Sequence, residues 1–162
     1  MNTLHPDVLA CCAELAQALQ RRCWTLVTAE SCTGGLIAAT CTGLSGSSLW
    51  FERGFVTYSN AAKISDLGVP APLLAACGAV SEAVVRAMAQ GALQRSQAQV
   101  ALAVTGVAGP QGGSADKPVG LVWFGWATPS GVYSQAQVFG GDRDAVRYAS
   151  VQHALRGVLQ RV

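Results

Sequence analysis

The chain has 162 residues, of which 51% are hydrophobic and only 12% charged, with a net charge of +2. That length is enough for one domain with a proper core. The near-neutral balance, with no Lys/Arg block, argues against nucleic acid or an anionic membrane as partner and leaves room for a small anionic ligand.

The charged fraction lies well below the usual quarter. Either part of the surface is buried in a homodimer, or the sequence is simply rich in Ala and Gly. The start, Met1-Asn2-Thr3-Leu4-His5-Pro6, has no basic segment and no apolar core of a signal peptide. No apolar stretch reaches the ~20 residues that span a bilayer. A cytoplasmic location is expected. Cys11, Cys12, Cys23, Cys32, Cys41 and Cys77 form no C-x-x-C, and His5 and His153 stand at opposite ends. Neither a metal nor a cofactor is called for, and the cysteines read as reduced, buried, small apolar residues. Cys32 is the exception: at a helix N-terminus its thiol pKa would be lowered.

In chain order, Pro6 to Arg22 shows helical spacing at Val8, Leu9, Cys12, Leu15, Ala16 and Leu19. Trp24 to Thr28 reads as a short buried strand. Thr28-Ala29-Glu30-Ser31-Cys32-Thr33-Gly34-Gly35 reads as a tight turn, and Gly35 to Thr42 as a helix of small residues. Leu49 to Tyr58 is aromatic and β-branched, so a strand. Ser59-Asn60 caps a helix from Ala61 to about Leu67, which Gly68 and the Pro70/Pro72 pair stop. Leu73 to Cys77 adds one turn. Ser81-Glu82 opens a long helix to about Arg95. Gln99 to Val104 is a strand, followed by a Gly-rich loop from Thr105 to Gly113. Val119 to Ala127 and Val132 to Phe139 form a hairpin across Thr128-Pro129-Ser130-Gly131. Asp142 caps a last helix to Arg161. Five strands and about five helices predict a single three-layer α/β/α domain over residues 1–162. Its sheet is mixed, with an antiparallel C-terminal hairpin.

Three stretches can carry chemistry. Ser31 follows a strand and precedes a helix, where free N–H groups can hold an anion or a developing oxyanion. The competing reading is that Glu30, Ser31 and Thr33 only cap that helix. The loop Gly106-Val107-Ala108-Gly109-Pro110-Gln111-Gly112-Gly113 fits neither a Walker A loop nor the dinucleotide fingerprint. It is a phosphate nest or a plain connection. Tyr58 and Lys63 flank the start of a helix. Beside Ser31 they make a Ser–Lys–Tyr set, provided the lysine pKa falls toward about 7–8 so that it can act as a base. Alone, each would be a rim tyrosine and a solvated lysine. Arg143 and Arg147 share a helix face and could clamp a phosphate or carboxylate. Solvation, or pairing with Asp144, is the preferred reading for Arg143, and Arg147 stays open.

Six motifs occur in order: Ala29-Glu30-Ser31-Cys32-Thr33-Gly34-Gly35, Gly54…Tyr58-Ser59-Asn60…Lys63, Gly78-Ala79-Val80-Ser81-Glu82, Thr105-Gly106-Val107-Ala108-Gly109-Pro110…Gly112-Gly113, Lys117-Pro118-Val119-Gly120 and Gly141-Asp142-Arg143…Val146-Arg147. Together they resemble the CinA C-terminal domain family, the nicotinamide-nucleotide amidohydrolases, in its stand-alone form. The resemblance implies hydrolysis of nicotinamide mononucleotide to nicotinic acid mononucleotide and ammonia, in pyridine nucleotide salvage. It implies Ser31 as nucleophile, Lys63 as base and Tyr58 assisting. In the mechanism built on these, backbone N–H groups near Thr33-Gly34 are expected to hold the oxyanion, and Thr33, Gly34 and Gly35 are substrate-binding positions. Thr105 and Arg147 become binding positions. The phosphate is expected against Gly106, Gly109, Gly112 and Gly113 and an arginine, Arg143 or Arg147. The chain departs from the family pattern at Gln111, where members often carry Asp or Gly, and at Cys77, where a His is common. The rival readings are a non-catalytic nucleotide-binding module, an amidase for another small amide, and a regulatory protein.

Overall fold

A computed structural model describes residues 5–162. The reading of Met1–Leu4 as leaderless falls outside them. Five strands, β1 (Leu26–Glu30), β2 (Phe51–Val56), β3 (Val100–Gly106), β4 (Leu121–Thr128) and β5 (Gly131–Val138), form one sheet in the order β2-β1-β3-β4-β5. β1 runs parallel to β2 and β3, while β4 and β5 add an antiparallel hairpin, as expected. Six α-helices cover it: α1 (Pro6–Arg21), α2 (Leu36–Thr42), α3 (Asn60–Leu67), α4 (Ala71–Cys77), α5 (Glu82–Gln94) and α6 (Arg143–Leu159). The extra helix is α4. Pro70 and Pro72 open it rather than stop α3, because proline suits a first turn whose N–H groups have no helical partner.

Residue alternation along β3 sorts the two faces. Val100, Leu102 and Val104 point to a core shared with α1, α2 and α6, where Phe124 and Trp126 also lie. Ala101 and Ala103 point to the opposite core, under α5 with Val84, Val85 and Met88. Small residues let α5 sit close to the sheet: a Cβ on Gly125 would stand 2.7 Å from the Val85 carbonyl oxygen.

The connections fix where a site can form. The chain leaves β1 into α2 on one face and leaves β2 into α3 on the other. Adjacent strands that send their chains to opposite faces open a crevice at their C-terminal ends. The ladder runs one residue beyond the strands there. Ser31 N–H donates to Val104 O (3.0 Å), and Thr57 N–H donates to Glu30 O (2.8 Å). β1 thus reaches Glu30 and β3 reaches Gly106, each two residues beyond the predicted ends.

Candidate active site

Glu30 settles the competition for the cap. Its buried carboxylate accepts from Ile37 N–H (2.8 Å) and Ala38 N–H (3.0 Å), closing the N-terminus of α2. Gly34 N–H donates to Ser31 O (3.0 Å), and Leu36 N–H to Thr33 O (3.1 Å). Gly34 (φ +58°) and Gly35 (φ +96°) carry the turn in the left-handed region. Two corrections follow. Ser31 is not a cap, so its hydroxyl is free for other work. Gly34 cannot serve an oxyanion, because its N–H is already engaged. The N–H groups of Cys32 and Thr33 donate to no protein oxygen among the described residues.

Lys63 sits one turn into α3, whose N-cap Ser59 accepts from Ala62 N–H (3.0 Å). Its side chain turns inward and is 1% exposed. Nζ donates to Ser31 Oγ (2.9 Å), Thr57 O (2.7 Å) and Tyr58 O (3.3 Å). Burial pushes the Lys63 pKa below the ordinary lysine value. A neutral amine has two N–H bonds and one lone pair. Two carbonyls can take both N–H bonds, which leaves the lone pair for the Ser31 hydroxyl proton. This is the arrangement of a nucleophile with its base.

Cys32 behaves opposite to expectation. Burial pushes its thiol up to about 11, and the Glu30 charge adds to the rise. The helix N-terminus that would have lowered it is already occupied by the Glu30 carboxylate. Cys23, expected to be buried, is exposed, in the left-handed region just after α1.

Around Ser31 and Lys63 lies a cavity of about 300 Å³. That is the small end of the range for ligand pockets, about 300–1,000 Å³. Tyr58, Thr105, Gly106, Gly109, Gly112 and Arg143 also line it. Tyr58 is 61% exposed at the rim. Its hydroxyl accepts from Arg143 Nη2 (3.0 Å), so the tyrosine serves Lys63 through its carbonyl, not its hydroxyl. Arg143 Nη1 donates to Gly109 O (2.8 Å) and so ties the Gly-rich loop to the rim. Among the described residues the lining holds the basic side chains of Lys63 and Arg143 and no carboxylate.

Comparisons with known proteins identify the family. The family model for the CinA C-terminal domain matches residues 9–162. The chain belongs to the CinA C-terminal domain family. It is 52% identical over 149 residues to nicotinamide-nucleotide amidohydrolase PncC of Escherichia coli K12, covering 91% of this chain and 90% of that protein. A Pseudomonas putida protein of the same name is 54% identical over 146 residues, covering 90% and 91%. The crystal structure of competence/damage inducible protein CihA from Agrobacterium tumefaciens superposes with a TM-score of 0.96 at 42% identity, covering 99% and 98%.

Within this CinA-family fold, the predicted site residues divide. Ser31, Lys63, Tyr58, Thr105, Gly106, Gly109, Gly112 and Arg143 meet at the cavity. Thr33, Gly34, Gly35, Gly113 and Arg147 do not line it. The order of the two arginines is therefore reversed. Arg147 Nη2 donates to Thr33 O (3.0 Å), and its Nη1 lies 3.7 Å from Asp144, behind the turn. Thr105 Oγ1 donates to Ala79 O (3.0 Å), so its hydroxyl is a tie within the protein. Sequence reasoning missed Ala79 and Val80, which line the cavity. They carry no side-chain chemistry, and only their place in the Gly78–Glu82 motif could have pointed to them.

Proposed function

We propose that this chain hydrolyses the carboxamide of nicotinamide mononucleotide to nicotinic acid mononucleotide and ammonia. The coarse class, hydrolysis of a carboxamide C–N bond, is the one named for relatives at 52% and 54% identity. The observation that carries the mechanism is the buried Lys63 amine 2.9 Å from Ser31 Oγ, in a cavity without a carboxylate.

In the proposed reaction, neutral Lys63 takes the Ser31 proton as Oγ attacks the amide carbon. The N–H of Cys32, which lines the cavity, holds the oxyanion, a contact worth roughly 3 kcal/mol. Lys63 returns the proton to the leaving nitrogen as the C–N bond breaks, and ammonia departs from the ester formed on Ser31. Water, activated by Lys63, then hydrolyses that ester. Arg143, whose described partners are all neutral, pairs with the substrate phosphate at the rim. Tyr58 steadies Arg143 with its hydroxyl and Lys63 with its carbonyl.

The test is ammonia release from nicotinamide mononucleotide by wild type, Ser31→Ala and Lys63→Ala. Wild type is expected to release ammonia, and both variants to lose at least a thousandfold in kcat. Ser31→Ala that folds and turns over normally would overturn the mechanism. A folded wild type that binds the nucleotide without releasing ammonia would leave a binding module.

A further inference from the structure

Two sequence motifs, Gly78–Glu82 and Lys117–Gly120, have no part in the chemistry above, yet the fold joins them at the cavity wall. Three side chains take three successive carbonyls of this wall. Lys117 Nζ donates to Cys77 O (2.7 Å), Ser81 Oγ to Gly78 O (2.8 Å) and Thr105 Oγ1 to Ala79 O (3.0 Å). Ala79 and Val80 line the cavity, and their N–H groups donate to no protein acceptor among the described residues. Ala79 and Val80 are partly buried residues, and N–H groups without a protein partner are left to water or a ligand.

The tie made by Lys117 is specific. Gly78 has φ +72° and ψ 162°, a backbone region open essentially to glycine. A Cβ there would stand 2.9 Å from Lys117 Nζ. Lys117 is itself presented by a closed turn, in which Ser114 N–H donates to Lys117 O (2.9 Å) and Lys117 N–H donates to Ser114 Oγ (3.1 Å). Among the described residues no carboxylate lies within ion-pair reach of it.

We propose that the N–H groups of Ala79 and Val80 form a donor strip that binds an acceptor oxygen of the nucleotide, and that Lys117 is the positioning residue of this strip. With the carbonyls of Cys77, Gly78 and Ala79 tied off, the wall offers the cavity the two N–H donors. That polarity suits the phosphate, hydroxyl and carboxamide oxygens of a nucleotide. The inference rests on the nucleotide reading above.

The experiment has two arms on the full chain. In the first, ¹⁵N-labelled protein is titrated with nicotinic acid mononucleotide, the product, which keeps the ring, ribose and phosphate. The Ala79 and Val80 amide resonances are expected to move downfield and to saturate together. In the second, Lys117→Met is expected to raise KM for nicotinamide mononucleotide about tenfold with kcat within twofold of wild type. Lys117→Arg, which keeps a cationic donor, should recover part of that loss. Gly78→Ala should act in the same direction, and the double variant should be no worse than the poorer single one. Unmoved Ala79 and Val80 resonances at saturation, or a folded Lys117→Met with unchanged KM, would overturn the inference. If wild type releases no ammonia, the hydrolase reading fails, while the titration still decides the strip. A spectrum in which no resonance moves overturns the strip, while ammonia release alone decides the hydrolase reading.

Discussion

Lys63 is charged in water and costly to charge where it lies, and the balance between burial and hydrogen bonding sets its proton. Three acceptors around Nζ favour the ammonium, and burial favours the amine. Burial prevails, so the folded pKa lies below the ordinary value near 10.4. Only the amine can accept the Ser31 proton. kcat/KM should therefore rise about tenfold per pH unit and level off at a pH below that value. A rate independent of pH below the plateau would remove Lys63 as the base. The same shift enters stability. A depressed lysine binds fewer protons folded than unfolded, so its contribution is full above about pH 10.4 and is lost as pH falls through the folded value. Denaturant midpoints should rise with pH across that window, and Lys63→Met should flatten the rise. Cys32, beside Ser31, makes the complementary case. With a pKa of about 11, only roughly one thiol in a thousand is ionised at pH 8. Iodoacetamide at pH 8 should alkylate exposed Cys23 quickly and leave Cys32 unmodified by mass spectrometry, and Cys32→Ala should keep kcat within a few-fold.

At the scale of elements, glycines decide how closely helices approach. Replacing a helical glycine with alanine ordinarily stabilises a helix by about 0.5–1 kcal/mol. Gly91 in α5 should break that rule, because a Cβ there would overlap the carbonyl oxygen of Leu67 at the end of α3. The backbone cannot rotate away as a side chain can, so overpacking of about 1–3 kcal/mol prevails. Gly91→Ala should lower Tm. It should also lower kcat, because α3 carries Lys63. A variant as stable and active as wild type would show that the two helices can part freely. The element order was legible in the sequence because apolar periodicity and glycine turns fix it. The ends of β1 and β3 were not. Glu30 looks like a turn residue until its carboxylate is seen closing α2, and that bond is tertiary. The two arginines show the same limit. Residues four apart share a helix face yet stand about 6 Å apart along its axis. That rise places Arg143 at the rim and Arg147 behind the turn. Ala79 and Val80 were illegible for a different reason, since they offer only backbone.

For the molecule as a whole, charge is nearly balanced, with 11 Lys and Arg against 9 Asp and Glu. The cavity is not balanced: among the described residues Lys63 and Arg143 line it without a carboxylate. An open-mouthed site of one sign inside a weakly charged protein focuses its field on the mouth and favours an anionic ligand. In the proposed mechanism the Lys63 amine reacts neutral, which leaves Arg143 as the cation at the rim. Raising ionic strength from 0.01 to 0.15 M shortens the screening length from about 30 to about 8 Å. kcat/KM for nicotinamide mononucleotide should fall about three- to tenfold over that range, mostly through KM. Nicotinamide riboside lacks the phosphate and keeps the cationic ring, so it should show no such fall. Arg143→Ala should weaken the nucleotide's salt dependence while leaving the riboside's rate nearly unchanged. Equal salt slopes for nucleotide and riboside would mean that the rim does not read the phosphate, and that Arg143 only ties Gly109 to Tyr58.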